Sequence, residues 1–535
     1  MYVYGNLARN DDIQKGLSTH MNNFIDFSHF SKDTYISEIN RIGLKKVWTN
    51  LIAYLFDNGI KKFSENIIDF YDIGKLYEIG LAQENKFTKK ECGKYYTPKD
   101  VSAVMAKMLC QNENLDAVAD VGCGCGNLII SVLEELEKDN RLNKAIEKGI
   151  YIYDFDETAL EICTARIQVR FGIPQNKIHK ICGDFLALKK IPENLSVIAN
   201  PPYVSNFKFS SDVSDASDNA DVNQANDLYI AFFSKICDFA KNITIVTPQS
   251  FIVGKKFSLF RQKLNEHFYG DIYSFDNVPC PLFNGKKAGI FNTNNANGVR
   301  ASISNVHRKT IDLQKDATNN SSNEENGFRL SHLIRFKTEQ REKIINTAFL
   351  ESTLGNIHQN LEKPVKAFKS LEKFAFAILD NYFELETLLS EKENEFPICV
   401  ATSARYFISA SSLKQKRSGF FEIFAKDKES FNLLYALLNS SYCYMWYRFF
   451  DGGILLPKAL VKKIPIPTNL NYDKEKLDLL ISKISVTEEN FKSYKKNGGS
   501  LQEVIKFPES MRNELNTFLF GDINFSCVHR NYEEV

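Results

Sequence analysis

Between about residue 115 and residue 275 the chain alternates short apolar runs rich in β-branched residues with longer amphipathic stretches, and that alternation constrains the fold more than any other feature. It predicts strands over 117–121, 150–154, 178–182, 195–199, 243–247 and 271–275. Helices are predicted between them, over 127–138, 157–171, 227–240 and 257–268. Strands separated by helices of that length pair in parallel, so the expected class is α/β: a Rossmann-like, mostly parallel sheet with helices on both faces. Ligands of such a sheet gather at the carboxyl ends of its strands. The last strand is open between 288–291 and 299–306.

Other segments break this rhythm. Residues 1–90 read as a helical N-terminal region rich in aromatics and without recognisable chemistry. The polar stretch 205–226 reads as a gating loop. Asn/Ser-rich tracts at 292–297 and 315–326 cannot build a core. The expected division is therefore a helical region at 1–90, a catalytic domain at 91–306, a linker at 307–328 and a further α+β domain at 329–535. A chain of 535 residues has room for two or three such domains.

The net charge of +1 argues against a protein that coats nucleic acid non-specifically, yet leaves room for a local basic groove. No apolar run reaches the length of a membrane span, and the first residues lack a secretory plan, so the expectation is a cytoplasmic protein without membrane contact. Eleven scattered cysteines fit reduced thiols better than a disulfide framework. Cys123 and Cys125 form a lone C-x-C with no second pair, so no metal is expected.

The chemistry is concentrated at predicted strand ends. Asp120-Val121-Gly122-Cys123-Gly124-Cys125-Gly126 follows the first strand and opens a helix, where glycines let backbone approach a ligand and free N–H groups face it. The spacing lacks both G-x-G-x-x-G and G-K-[ST], which disfavours dinucleotides and ATP and leaves a nucleoside without a phosphate chain. Asp154, followed by Phe155, ends the second strand and suits ribose hydroxyls. Asp184 and Phe185 end the third and suit an adenine amine and its ring face. Each acid alone is an ordinary strand-end residue. In succession, and followed by Asn200-Pro201-Pro202-Tyr203 at the fourth strand, they describe S-adenosylmethionine laid across a sheet edge. In the tetrapeptide, an amide oxygen and a carbonyl fixed by prolines offer two acceptors to a planar NH2 group, and Tyr203 offers a stacking face.

Over roughly residues 75–306 the chain resembles the gamma-type N6-adenine DNA methyltransferases of restriction-modification systems. Gly93-Lys94-Tyr95-Tyr96-Thr97-Pro98 is similar to the family segment that wraps the methionine end of the cofactor, which implies that role for Tyr96, Thr97 and Pro98. Asp227-Leu228-Tyr229, Val246-Thr247-Pro248 and Pro281-Leu282-Phe283-Asn284-Gly285-Lys286 are similar to later motifs. The resemblance implies that Phe283 stacks on an extruded adenine opposite Tyr203, with Lys286 beside it. It also implies a double-stranded DNA substrate and a cognate restriction endonuclease as partner. Residues beyond 328 resemble target-recognition modules, notably 434–441 and Ile464-Pro465-Ile466-Pro467. In that region Lys414, Lys416 and Arg417, and also Lys462 and Lys463, are candidate phosphate or base-edge contacts.

Competing readings are a protein-glutamine or RNA methyltransferase with the same clamp, and a modification subunit dependent on a separate specificity subunit. Others are a nuclease fusion, for which Glu84-Asn85-Lys86 is the sole sign, and an inactive DNA-binding scaffold.

Overall fold

The computed structural model describes residues 31–64, 69–85, 96–112, 115, 117–205, 220–277, 279–283, 300–309, 327–358, 361, 365–404, 406–450, 455–497 and 500–529. It forms two compact units. The first comprises 1–328 with 335–352 and 360–362; the second comprises 329–334, 353–359 and 363–535.

The first unit is built on seven strands: β1 (Val118–Val121), β2 (Ile150–Asp154), β3 (Ile178–Cys182), β4 (Leu195–Ala199), β5 (Ala240–Pro248), β6 (Phe268–Phe275) and β7 (Ala301–Arg308). Their order is β3-β2-β1-β4-β5-β7-β6. Pairing is parallel from β3 through β5, and β7 runs antiparallel to both β5 and β6. Every residue of β1 and β4 is buried, as expected of uninterrupted apolar strands covered on both faces. Between them the strand order reverses, which opens a crevice at their carboxyl ends.

The strands over 150–154, 178–182 and 195–199 and the helices Asn127–Lys138 and Glu157–Phe171 have the expected bounds. Local signals set them. Asp156 accepts from Ala159 N–H at 3.2 Å at one end of the second helix, and Gly172 turns left-handed at φ 67° at the other. β5 and β6 each begin three residues earlier than expected because both pair along nearly their whole length with β7. Of the two alternatives for the last strand, the second holds, shifted to Ala301–Arg308; residues 288–291 lie outside the described residues. One of its buried polar side chains is satisfied across the ladder: Asn305 Oδ1 accepts from Thr244 Oγ1 at 2.8 Å. Within the stretch read as a gating loop, residues Ala220–Ala225 are helical, and 206–219 lie outside the described residues.

Ahead of the sheet, helices Lys32–Ile42, Leu44–Ser64 and Ile73–Asn85 pack around Tyr35, Trp48 and Tyr77, whose rings meet edge to face at 6.4 and 5.4 Å. Trp48 Nε1 donates to Tyr35 Oη at 3.2 Å, and Tyr35 in turn donates to the Leu76 carbonyl at 3.0 Å. Both buried polar tips are thereby used.

The second unit is α+β. A three-stranded sheet (Ala410–Ser411, Pro397–Ala401, Phe420–Phe424) accompanies helices Lys428–Asn439 and Ser441–Phe450, whose side chains are almost all buried. Buried Glu488 accepts from the Ser412 N–H at 2.9 Å, from Ser412 Oγ at 2.8 Å and from Tyr435 Oη. The run 434–441 thus belongs to the core. Among the described residues no helix is long and apolar enough to cross a membrane.

Candidate active site

The glycine loop after β1 is left-handed at Gly122, Gly124 and Gly126 (φ 75°, 50° and 86°), a conformation that costs a Cβ-bearing residue about 1 kcal/mol or more. Gly122 and Cys123 both donate to the Tyr153 carbonyl, at 2.9 and 3.0 Å, which pins the loop to the end of β2. A Cβ added at Gly124 would meet nothing within 4 Å, because that face looks into a cavity of about 430 Å³. Such a volume suits a nucleoside-sized ligand. Cys123 and Cys125 line it; both thiols are buried, which raises their pKa and keeps them protonated. Asp120 does not line the cavity, contrary to the cofactor-binding expectation. Its Oδ2 accepts from Ile129 N–H at 3.1 Å, bracing the loop against the following helix, and burial pushes its carboxyl up to about 8.

Asp154, Phe155, Asp184 and Phe185 do come together around the cavity. Asp154 Oδ2 accepts from Gly124 N–H at 2.8 Å and Oδ1 from Asp156 N–H at 2.9 Å, so one carboxylate couples the ends of two strands. Phe155 is 78% exposed. Asp184 accepts from Leu186 N–H at 2.9 Å, which fixes the turn that carries Phe185. The Phe185 ring is buried against Phe232 at 5.3 Å and Tyr153 at 5.7 Å.

One wall was not anticipated. Gly74, Tyr77, Glu78 and Leu81 of helix Ile73–Asn85 line the cavity, although the sequence of residues 1–90 offers no recognisable chemistry. Tyr77 lies 3.1 Å from both oxygens of Asp156 with its hydroxyl as donor. Buried Arg166 joins this wall to the loop: it donates to the Phe70 carbonyl at 2.8 Å, to Asn127 Oδ1 at 2.8 Å and to the Cys125 carbonyl. The available sign was glycine inside a helical pattern, since a Cβ at Gly74 would sit 3.1 Å from the Tyr96 ring.

Tyr96 and Thr97 line the cavity, whereas Pro98 caps helix Lys99–Cys110. Asn200 and Pro202 also line it, and Pro201 is buried behind them. Asn200 Nδ2 donates to Thr97 Oγ1 at 3.0 Å. In this orientation Oδ1, the accepting end of the amide, is turned away from Thr97. Tyr203 does not line the cavity; it donates to the Val246 carbonyl at 3.0 Å. Its ring meets Phe283 at 6.0 Å and 63°, so the two rings expected to face each other do meet. They meet edge to face. Lys286 lies outside the described residues.

The remaining candidates belong to the second unit. Lys414 has a side chain 71% exposed, with Nζ 4.0 Å from Glu422. Exposed Lys416 and half-buried Arg417 follow it; Arg417 donates to Ser403 Oγ at 3.1 Å, and burial lowers its pKa. This loop is bound by backbone to the hairpin Lys492–Asn497/Ser500–Ile505, with Glu503 N–H donating to the Lys416 carbonyl at 3.0 Å. Lys462 pairs with Glu386 at 2.5 Å, and Lys463 is exposed.

Residues 69–269 match the N-6 DNA methylase family. Over 216 residues the chain is 23% identical to the type I restriction enzyme MpnII methylase subunit of Mycoplasma pneumoniae, covering 38% of each chain. Over 191 residues it is 29% identical to the type II methyltransferase M.VspI of a Vibrio species, covering 34% of this chain and 42% of that one. The chain thus spans well under half the length of these relatives. Among solved structures, the DNA-bound ATP-dependent type ISP restriction-modification enzyme LlaBIII aligns with a TM-score of 0.44 and 13% identity, over 93% of this chain and 48% of that one.

Proposed function

We propose that this chain, a member of the N-6 DNA methylase family through residues 69–269, transfers a methyl group from S-adenosylmethionine to N6 of an adenine in double-stranded DNA. The observation that carries this reading is the Asn200 amide, oriented by Thr97 and lining the same cavity as the open face of Gly124 and the carboxylates Asp154 and Asp184. Those residues fit the cofactor. Asp154 holds the ribose, Asp184 and Phe185 the adenine, and Tyr96 and Thr97 the methionine end. When bound, S-adenosylmethionine supplies an already electrophilic methyl, so the protein's part is positioning and electrostatics.

Adenine N6 is a weak nucleophile because its lone pair is delocalised into the ring. Asn200 Oδ1 and the Pro201 carbonyl accept its two hydrogens and favour a more tetrahedral nitrogen. A base inside a duplex reaches this clamp only by rotating out of the helix, and the faces of Tyr203 and Phe283 offset its lost stacking. The proposed division of labour gives catalysis to the first unit, 1–328 with 335–352 and 360–362, and target recognition to the second. Lys414, Lys416 and Arg417 of the second unit contact DNA, and the partner is the restriction endonuclease of the same system.

A second reading follows from the similarity to a type I methylase subunit: modification that needs a separate specificity subunit. Incubating the purified chain with methyl-labelled S-adenosylmethionine and DNA, RNA or protein separates these readings. Label in DNA from the chain alone supports the type II form. Label in DNA only after a specificity subunit is added supports the second reading, and label in RNA or protein rejects both.

A further inference from the structure

Phe283 stands at the end of a segment that leaves β6 at Phe275, and arginines distant in sequence hold that segment. Asp276, 1% exposed, takes Arg300 Nε on Oδ1 at 3.0 Å and Arg335 Nε on Oδ2 at 2.5 Å. Fully buried Arg341 grips the two residues just before the ring: Nη1 donates to the Pro281 carbonyl at 3.2 Å and Nη2 to the Leu282 carbonyl at 2.6 Å. The same guanidinium donates to Asp100, from Nε to Oδ2 at 2.5 Å and from Nη2 to Oδ1 at 3.1 Å. Asp100 is the second residue of helix Lys99–Cys110, directly after the segment in which Thr97 orients the Asn200 amide.

A guanidinium is planar and presents its donors in a fixed fork, so bonds to two backbone carbonyls and one carboxylate set direction as well as distance. Lysine would keep the charge and lose the fork. Core stability alone would place such a group anywhere in the unit. This one has one arm beside the residue that orients the clamp and the other on the carbonyls that aim the facing ring.

We infer that Arg341 is a positioning residue for base capture: by bridging Asp100 to the Pro281 and Leu282 carbonyls, it holds the Phe283 ring in register with Tyr203 and the Asn200 clamp. The inference rests on the DNA methylase reading above and adds to it a residue that contacts neither cofactor nor base.

The test compares full-length wild type, Arg341→Lys, Phe283→Ala and the double variant, using labelled methyl transfer to unmethylated genomic DNA, S-adenosylmethionine binding and thermal melting. Arg341→Lys is expected to bind the cofactor within about twofold of wild type and to lose roughly tenfold in kcat/KM on DNA. Added to Phe283→Ala it should cost nothing further, because both act through one ring. Wild-type turnover by Arg341→Lys, or losses that multiply in the double variant, overturns the inference. Should Arg341→Lys fail to fold, Asp100→Asn takes its place, since it keeps one accepting oxygen. It should lose about threefold, again without adding to Phe283→Ala; wild-type turnover or an additive loss overturns the inference equally. Label from the wild type in RNA or protein in place of DNA would sink the functional reading, whereas an active wild type beside an unaffected variant sinks this inference alone.

Discussion

The two halves of the sheet edge are built differently. At the ends of β1 to β3 the groups that shape the cavity are held mainly by near neighbours or by the adjacent strand: Asp154 by Gly124 and Asp156, Asp184 by Leu186, the glycine loop by Tyr153. At the ends of β4 and β6 the clamp amide answers to Thr97, 103 residues earlier, and the approach to Phe283 answers to Arg341, which is also bound to Asp100 241 residues away. On the first side the strand ends fix one another, with Arg166 and Tyr77 tying them to residues 70–77. On the second side the bonds that fix the amide and the approach to the ring are all long-range. Donor binding and acceptor capture should therefore respond to different substitutions.

The strongest way to break that separation is Asn200→Ala, which is expected to lower methyl transfer about a thousandfold while leaving cofactor affinity within about twofold, read by single turnover and calorimetry. Asp154→Ala should do the converse. It loses a carboxylate that lines the cavity and also holds Gly124, so on the proposed reading the cofactor Kd rises about a hundredfold while the rate at saturation changes little. Tyr203→Ala sharpens the acceptor side: about thirtyfold lost on paired DNA and clearly less on an adenine placed in a mismatch, where extrusion is easier. Equal losses on both substrates would remove the stacking role. Tyr77→Phe deletes the hydroxyl that donates to Asp156, and a rise in cofactor Kd of about threefold to tenfold would place the N-terminal helix on the donor side.

The smallest effect concerns stability. Asp120 has a folded-state pKa of about 8 against an ordinary 3.8, raised by burial, so the folded protein binds its proton more tightly than the unfolded chain. Its contribution is therefore greatest below about pH 4 and is lost as the pH rises toward 8. Asp120→Asn should flatten that part of the melting profile, and an unchanged profile would show that Asp120 is ionised in the fold.

The same contrast explains what could be read from the chain. Residues 150–154 and 195–199 are apolar runs closed by an acid or an amide, 178–182 is followed within two residues by Asp184, and 157–171 has its own acid cap and glycine stop, so local pattern locates them. β7 was ambiguous because Ser302, Ser304 and Asn305 are polar yet buried between two strands, a place assigned only by long-range pairing. Asp120 looked like the other strand-end acids, and nothing local tells a carboxylate that faces a cavity from one that faces the next helix. Tyr77 and Arg341 carry no motif at all. Their roles come from partners 79 and up to 241 residues away.

The most direct test expresses the chain, with a specificity subunit where one is required, in a host that lacks adenine methylation and sequences the modified bases of its DNA. The account predicts N6-methyladenine in one recurring sequence context, present with the wild type and absent with Asn200→Ala. Methyl groups on cytosine, or N6-methyladenine that persists in the Asn200→Ala strain, would contradict it.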